Sequence, residues 1–293
     1  MNKEFAIDPT AFENTLQLKY VLEKFGFYHG RFIVGFPSKW IKQVHEHIQK
    51  FPEIEQARAR RVLERARNSV VKSGELGFDP SHPWIDNVYR VSGTHSPFHG
   101  VIAANTNSFS YPTVHEVDDA FFGVNNDIRI IGNTENYSLV AKRLLQMSNE
   151  VVIVDPYLKL FKSEREKVVK NFLAIAQQGK CQKFVFWIRE KDAGAKAYKR
   201  MLEEKYKSCL APKSTMTILL VDDGNSTEKM HARLLLSTLG GLRFDHGFEE
   251  FNDGRRVDVS IVSEQAHDAH CRWYLDRNSQ NDFVTIEEHC ISG

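Results

Sequence analysis

Apolar residues in the first quarter of the chain recur at helical spacing. Phe12, Leu16 and Tyr20 follow the start signal Asp8-Pro9 and run to Gly26. Ile41, Val44 and Ile48 follow Pro37-Ser38, and Ile54, Val62, Leu63 and Ala66 follow Pro52 and end near Gly74. A capping residue followed by proline marks a helix start, because the first helical N–H has no partner inside the helix and proline lacks one anyway. Three amphipathic helices are expected here. Between Gly74 and Asn126 the pattern breaks on Pro80, Pro83, Gly93, Pro97, Gly100, Pro112 and Gly123. Loops are expected there, with one or two short strands such as Gly100-Val101-Ile102-Ala103-Ala104.

From Asp127 the pattern alternates. Ile128-Arg129-Ile130-Ile131 reads as a strand, and Asn133 or Thr134 then caps a helix carrying Leu139, Leu144, Leu145 and Met147. Val151-Val152-Ile153-Val154 is a continuous apolar run ending in Asp155-Pro156-Tyr157, as a strand buried on both faces requires. Ser163 to Gln178 is a helix stopped by Gly179, Phe184 to Ile188 a strand, Ala193 to Leu210 a helix and Met216 to Val221 a strand. Alternation of this kind implies βαβ units and a largely parallel sheet. His231 to Ser237, Arg256 to Val262 and Phe283 to Ile286 read as further strands without long helices between them, so the sheet should finish antiparallel. The pattern predicts an α/β chain in two domains. A mainly helical N-terminal domain spans 1–126, and an α/β domain with a mixed sheet flanked by helices spans 127–293.

Composition narrows the function classes without choosing one. With 293 residues, 42% hydrophobic and 26% charged, the chain is long enough for two cores. A net charge of +1 gives no global pull toward nucleic acid or an anionic surface, so such binding would need a local patch. The N-terminus has no apolar h-region and no stretch reaches the roughly 18 apolar residues of a membrane span, which points to a cytoplasmic protein. Cys181, Cys209, Cys271 and Cys290 are scattered as reduced thiols would be. The spacings of His267, His270, Cys271, His289 and Cys290 match no common metal-ligand pattern, so no metal or other cofactor is expected. The basic run Arg58, Arg60, Arg61, Arg65, Arg67 and Lys72 is interleaved with Glu55 and Glu64, which favours a solvated helix over a nucleic-acid stripe. Phe27, Tyr28, Phe32, Phe36 and Trp40 read as core of a small helical domain.

Candidate chemistry concentrates at Lys229-Met230-His231-Ala232-Arg233-Leu234-Leu235-Leu236-Ser237, followed by the glycine-containing stretch Gly240 to Gly247. On a strand, His231 and Arg233 share one face. Imidazole can attack phosphorus or pass a proton, and the planar guanidinium can grip two phosphate oxygens. Position near the carboxyl ends of a parallel sheet is where open α/β folds hold ligands.

The apolar strand ending in Asp155-Pro156-Tyr157, the His-x-Arg stretch and the aromatic turn Leu242-Arg243-Phe244-Asp245-His246-Gly247-Phe248 resemble one half of a phospholipase D superfamily protein. Within that superfamily the chain is most similar to the phospholipase D-like domain at the C-terminus of microtubule-interacting-and-trafficking (MIT) proteins, over about residues 127–276. In catalytic relatives the motif is His-x-Lys, four residues, then Asp; the histidine forms a phosphohistidine, a second histidine protonates the leaving group, and no metal is needed. Here Arg233 stands at the lysine position and Thr238 at the aspartate position. The resemblance therefore implies His231 and Arg233 as catalytic or phosphate-contacting residues. Ser237, Thr238, Asp245, Asp258, Ser260 and Glu264 are candidate pocket residues. The second His-x-Arg, His270-Cys271-Arg272, lies in a helix-like segment where residues two apart do not face each other, and reads as structural.

Two functions follow from the resemblance. The first is recognition of a phosphate ligand, either a nucleic-acid backbone or a phospholipid head group, with the N-terminal domain making protein contacts. The second is a metal-independent phosphodiesterase or nuclease whose homodimer brings two copies of His231 together. The missing aspartate and second motif favour recognition. By analogy of architecture alone, such a chain suits a bacterial antiviral defence system with an ATPase or another protein as partner.

Overall fold

The computed structural model describes residues 1–72, 74, 76–95, 97–123, 126–189, 198–276 and 281–293. The chain is α/β and divides into two compact units, Met1–Asn126 and Asp127–Gly293.

The first unit is built on a sheet that its helical periodicity concealed. β1 (Lys3–Ile7), β2 (Arg31–Gly35), β3 (Val70–Lys72) and β4 (Gly100–Ile102) form a four-stranded sheet in the order β3-β2-β1-β4, and every pairing is parallel. Parallel neighbours need crossover segments, and the helices supply them. α1 (Thr15–Leu22) joins β1 to β2, α2 (Trp40–Ile48) and α3 (Glu53–Arg65) join β2 to β3, and α4 (Trp84–His95) precedes β4, with a short α5 (Asp119–Phe122) after it. The expectation is a mainly helical domain, three helices followed by loops with one or two short strands; the strand expected at Gly100 is β4, while β1, β2, β3 and the parallel sheet they build correct the rest. Strands of three to five residues are too short to show a period, and α4 lies in the stretch read as loops.

The helix faces also differ from expectation. α1 begins at its Asn14 cap rather than at Asp8-Pro9, with the Asn14 Oδ1 accepting the amides of Leu16 and Gln17 at 3.0 Å each. Leu18, Val21 and Leu22 are its buried residues, while Leu16 is 78% exposed. Ile54 on α3 is likewise exposed, and Ala59 and Leu63 carry that helix into the core. The core joins Phe5, Ile7, Ile33 and Ile102 of the sheet to Trp40, Val44 and Ile48 of α2. Phe32 and Phe36 are buried on and just after β2, so the aromatic cluster serves a sheet rather than a helical bundle.

The second unit is an eight-stranded mixed sheet. β5 (Asp127–Ile131), β6 (Glu150–Val154), β7 (Lys183–Arg189), β8 (Thr215–Asp222), β9 (Leu234–Ser237), β10 (Gly240–Phe244), β11 (Arg256–Ile261) and β12 (Val284–Ser292) lie in the order β12-β8-β7-β6-β9-β10-β11-β5. β6, β7 and β8 are parallel and every other neighbour is antiparallel. Val151 to Val154 are buried because β6 is interior, hydrogen-bonded to β7 on one side and β9 on the other. α6 (Thr134–Met147) and α7 (Ser163–Gln177) connect β5 to β6 and β6 to β7. α8 (Tyr198–Tyr206) precedes β8; the start expected for this helix at Ala193 lies outside the described residues. α9 (Glu264–His270) passes into a π-helical turn, Cys271–Leu275, and β12 is nine residues long where only Phe283 to Ile286 was expected. No helix among the described residues is long and apolar enough to cross a membrane.

Candidate functional site

β6, β7 and β8 are parallel, so their carboxyl ends share one edge of the sheet. β9 runs against β6, with Leu234 opposite Val154, which sets Arg233 beside the residues that follow β6. β10 runs against β9, so the turn after Phe244 returns to the same edge. Asp155, Tyr157, Arg189, Asp223, Arg233 and Gly247 therefore gather there by register.

Arg189 ends β7 and is buried. Its Nε donates to Asp223 Oδ1 at 3.0 Å, and its Nη2 to Asp223 Oδ2 at 2.7 Å and to the Met230 carbonyl at 2.6 Å. Asp223, only 4% exposed, also accepts the Met230 amide at 2.9 Å. Burial works against the charged Asp223 carboxyl, but these hydrogen bonds outweigh it and hold its pKa below the ordinary value, while Asp223 raises that of Arg189. Lys229 ties down the same loop through the carbonyls of Asp223, Gly224 and Ser226. This fixes the chain just before His231.

Arg233 is half-buried. Its carbonyl accepts the Phe244 amide at 2.9 Å, extending the β9–β10 ladder by one bond, and its Nη1 donates to the Asp245 carbonyl at 2.9 Å. A guanidinium carries five N–H donors. The remaining four make no hydrogen bond or ion pair with any described residue. The Cζ lies 5.1 Å from the centre of the Tyr157 ring, and the Cζ of Arg189 lies 5.4 Å from the same centre.

Asp155 follows β6 and is 2% exposed, its Oδ1 accepting the Tyr157 amide at 2.9 Å. Burial pushes its carboxyl up to about 6, against the lowering effect of the Tyr157 amide, Arg233, Arg165 and the Phe248 amide. Gly247, with φ at 77°, lets the turn after β10 close over this group. A Cβ there would stand 2.6 Å from Asp155 Oδ2 and 3.3 Å from Arg233 Cδ.

The sequence-predicted residues separate. β9 begins at Leu234, so His231 lies in irregular backbone ahead of it, exposed, and the strand pleat does not set its direction. Asp245 contributes a backbone carbonyl to Arg233, while its exposed carboxylate lies 3.5 Å from His246 Nε2. Ser237 is fully buried at the far end of β9, four residues and so about 13 Å along the strand from Arg233. Thr238 is exposed in the β9–β10 turn beyond it. Asp258 is on β11 with its side chain toward Arg129, 3.6 Å away, and only its carbonyl reaches the Asp245 amide. Ser260, opposite Arg243, is level with Leu234 but two strands away from β9, on β11, while Glu264, the first residue of α9, lies beyond the end of β11 toward the Ser237 side. Thus Ser237, Thr238 and Glu264 are not brought together with Arg233, and Ser260 shares its end of the sheet two strands aside. Asp155, Tyr157, Arg189, Asp223 and Gly247 were missed as site residues. Their signal was present: Asp155, Arg189 and Asp223 are charged residues placed directly after apolar strand runs.

Among the described residues no group of three or more His, Cys, Asp or Glu side chains is arranged to hold a metal. His267 is buried, its Nε2 2.7 Å from the Ser237 carbonyl and 3.2 Å from Cys271 Sγ. Burial raises the Cys271 thiol to about 11, which keeps it protonated at neutral pH.

No family model matches the chain and no curated protein matches it. Among solved structures it is similar to TrmBL2, an archaeal chromatin protein described as showing a novel mode of DNA binding. The identity is 13%, the match covers 50% of each chain and the TM-score is 0.27. A likeness this slight carries no argument about fold or function.

Proposed function

We propose that residues 127–293 form a phospholipase D-like module that recognises a phosphodiester without cleaving it, Arg233 gripping the phosphate oxygens and His231 standing at the mouth. The observation that carries this reading is the half-buried Arg233 guanidinium at the carboxyl edge, with one N–H used and four without a described partner. A planar fork of free donors in a partly desolvated setting is suited to an oxyanion. Recognition is favoured over turnover because Thr238, at the position of the motif aspartate, lies beyond the opposite end of β9 and is not placed to orient His231.

The test uses the whole chain with labelled single-stranded DNA, RNA and anionic phospholipid vesicles, with EDTA present throughout. Wild type is expected to bind at least one of these, and Arg233→Ala to weaken it about tenfold or more, the value of one charge-assisted contact. Equal binding by Arg233→Ala would remove the proposal. Hydrolysis of bis-p-nitrophenyl phosphate or nucleic acid by wild type and not by His231→Ala would replace recognition with phosphodiesterase activity.

A further inference from the structure

The first unit holds a cavity of about 810 Å³ that runs along the edge strand β3 and reaches the carboxyl ends of β2 and β3. Gly35, the last residue of β2, and Lys72, the last of β3, both line it, and so does the start of α2. Open parallel sheets hold ligands at this edge, because the strands end there and the loops diverge. The sheet order β3-β2-β1-β4 reverses direction between β1 and β4, so the cavity lies on the same edge one strand aside from the reversal.

Its lining combines an apolar wall with cations. Ile41, Val70 and Val71 supply the apolar surface, while Lys39, Lys42, Arg67 and Lys72 supply four basic side chains against the single carboxylate of Glu46. The cations are weakly engaged. Lys42 reaches Glu46 at 3.5 Å and Arg67 reaches Glu64 at 3.2 Å, both as exposed pairs of the kind that contribute little. The side-chain ammonium groups of Lys39 and Lys72 make no hydrogen bond or ion pair with any described residue. Like charges around one hollow repel, and an anion entering it relieves that repulsion. The volume is within the range of small-molecule sites and too large for a lone phosphate ion.

We propose that this cavity binds an organic phosphate of nucleotide size, with the phosphate toward Lys39 and Lys72 and the carbon body against Ile41, Val70 and Val71. This site is separate from the Arg233 edge and does not depend on the reading given for it.

The experiment is calorimetric titration of the full chain with the four ribonucleoside monophosphates, glucose 6-phosphate, adenosine and inorganic phosphate. At least one organic phosphate is expected to bind at least about tenfold more tightly than inorganic phosphate or adenosine, since both halves of the site must be filled. Lys39→Glu/Lys72→Glu should abolish that binding and Lys39→Ala/Lys72→Ala should weaken it, all four changes being at exposed positions whose fold circular dichroism can verify. Arg233→Ala should bind like wild type. The proposal is overturned if no organic phosphate binds at millimolar concentration, if inorganic phosphate binds equally well, or if the charge-reversed chain retains binding. Loss of binding in Arg233→Ala alone would assign the ligand to the other site and also overturn it.

Discussion

Arg189 and Arg233 lie over the same tyrosine ring at nearly equal distance, yet their surroundings are opposite. On the β7–β8 side, Arg189 is 6% exposed and spends its donors on Asp223 and the Met230 carbonyl. On the β9–β10 side, Arg233 is half-buried and gives one N–H to a carbonyl. Burial with full pairing makes an arginine part of the fold, because any ligand would have to displace a bidentate carboxylate. Partial burial without pairing leaves the donors for something else.

The largest effect expected is from Arg189→Ala. Removing one partner leaves Asp223 buried and uncompensated, which costs about 3–5 kcal/mol. A urea titration should show the midpoint falling accordingly, and a loss under about 1 kcal/mol would mean that the pair is not the anchor of this edge.

The next sharpens the buried side through pH. The Asp155 carboxyl is raised to about 6, so between about pH 4 and 6 the unfolded chain releases this proton while the folded chain keeps it. Its contribution to stability is therefore full at low pH and declines as pH rises through that window, by up to about 3 kcal/mol. Asp155→Asn keeps an acceptor for the Tyr157 amide and cannot ionise. The stability difference between wild type and this variant should move toward the variant as pH rises from 4 to 7, and a difference that stays constant would show that Asp155 titrates normally. Gly247→Ala comes third. Its positive φ alone costs about 1–2 kcal/mol, and the new methyl meets Asp155, so a measured loss near zero would mean the turn is free to move away.

The sequence made the interior of this sheet legible and its edge only partly so. Val151 to Val154 and Phe184 to Ile188 read as strands because both faces of an interior strand are apolar, and the structure places them as β6 and β7. Of the short strands of the first unit only β4 was legible, from its apolar run at Gly100; β1, β2 and β3 have three to five residues each and owe their existence to parallel partners far along the chain. For the site, the spacing of His231 and Arg233 was read as one strand face, but β9 begins at Leu234, and what surrounds Arg233 is set by contacts that no spacing shows. Asp155 meets Gly247 and Arg233 through two antiparallel returns, and no local pattern encodes that meeting. Conversely, Ser237 and Glu264 are near His231 or Asp258 in sequence and belong to the other end of β9 and to α9.

The smallest effect on stability is expected where the largest effect on binding is. Arg233→Ala removes one hydrogen bond to a carbonyl and a partly exposed contact with Tyr157, together about 1 kcal/mol or less. Arg233 acts on the buried Asp155 only as a charge that lowers its pKa and shares no hydrogen bond with it among the described residues, so its loss leaves Asp155 more readily protonated rather than stripped of a bonded partner. Arg233→Lys separates charge from geometry: it keeps the cation and loses the planar fork. If Arg233 serves a phosphate, both variants should unfold near the wild-type urea midpoint, Arg233→Ala should lose phosphodiester binding, and Arg233→Lys should retain part of it. Should Arg233→Ala instead cost as much stability as Arg189→Ala, the two guanidiniums would be equivalent supports of Tyr157, and the contrast on which the binding site rests would be gone.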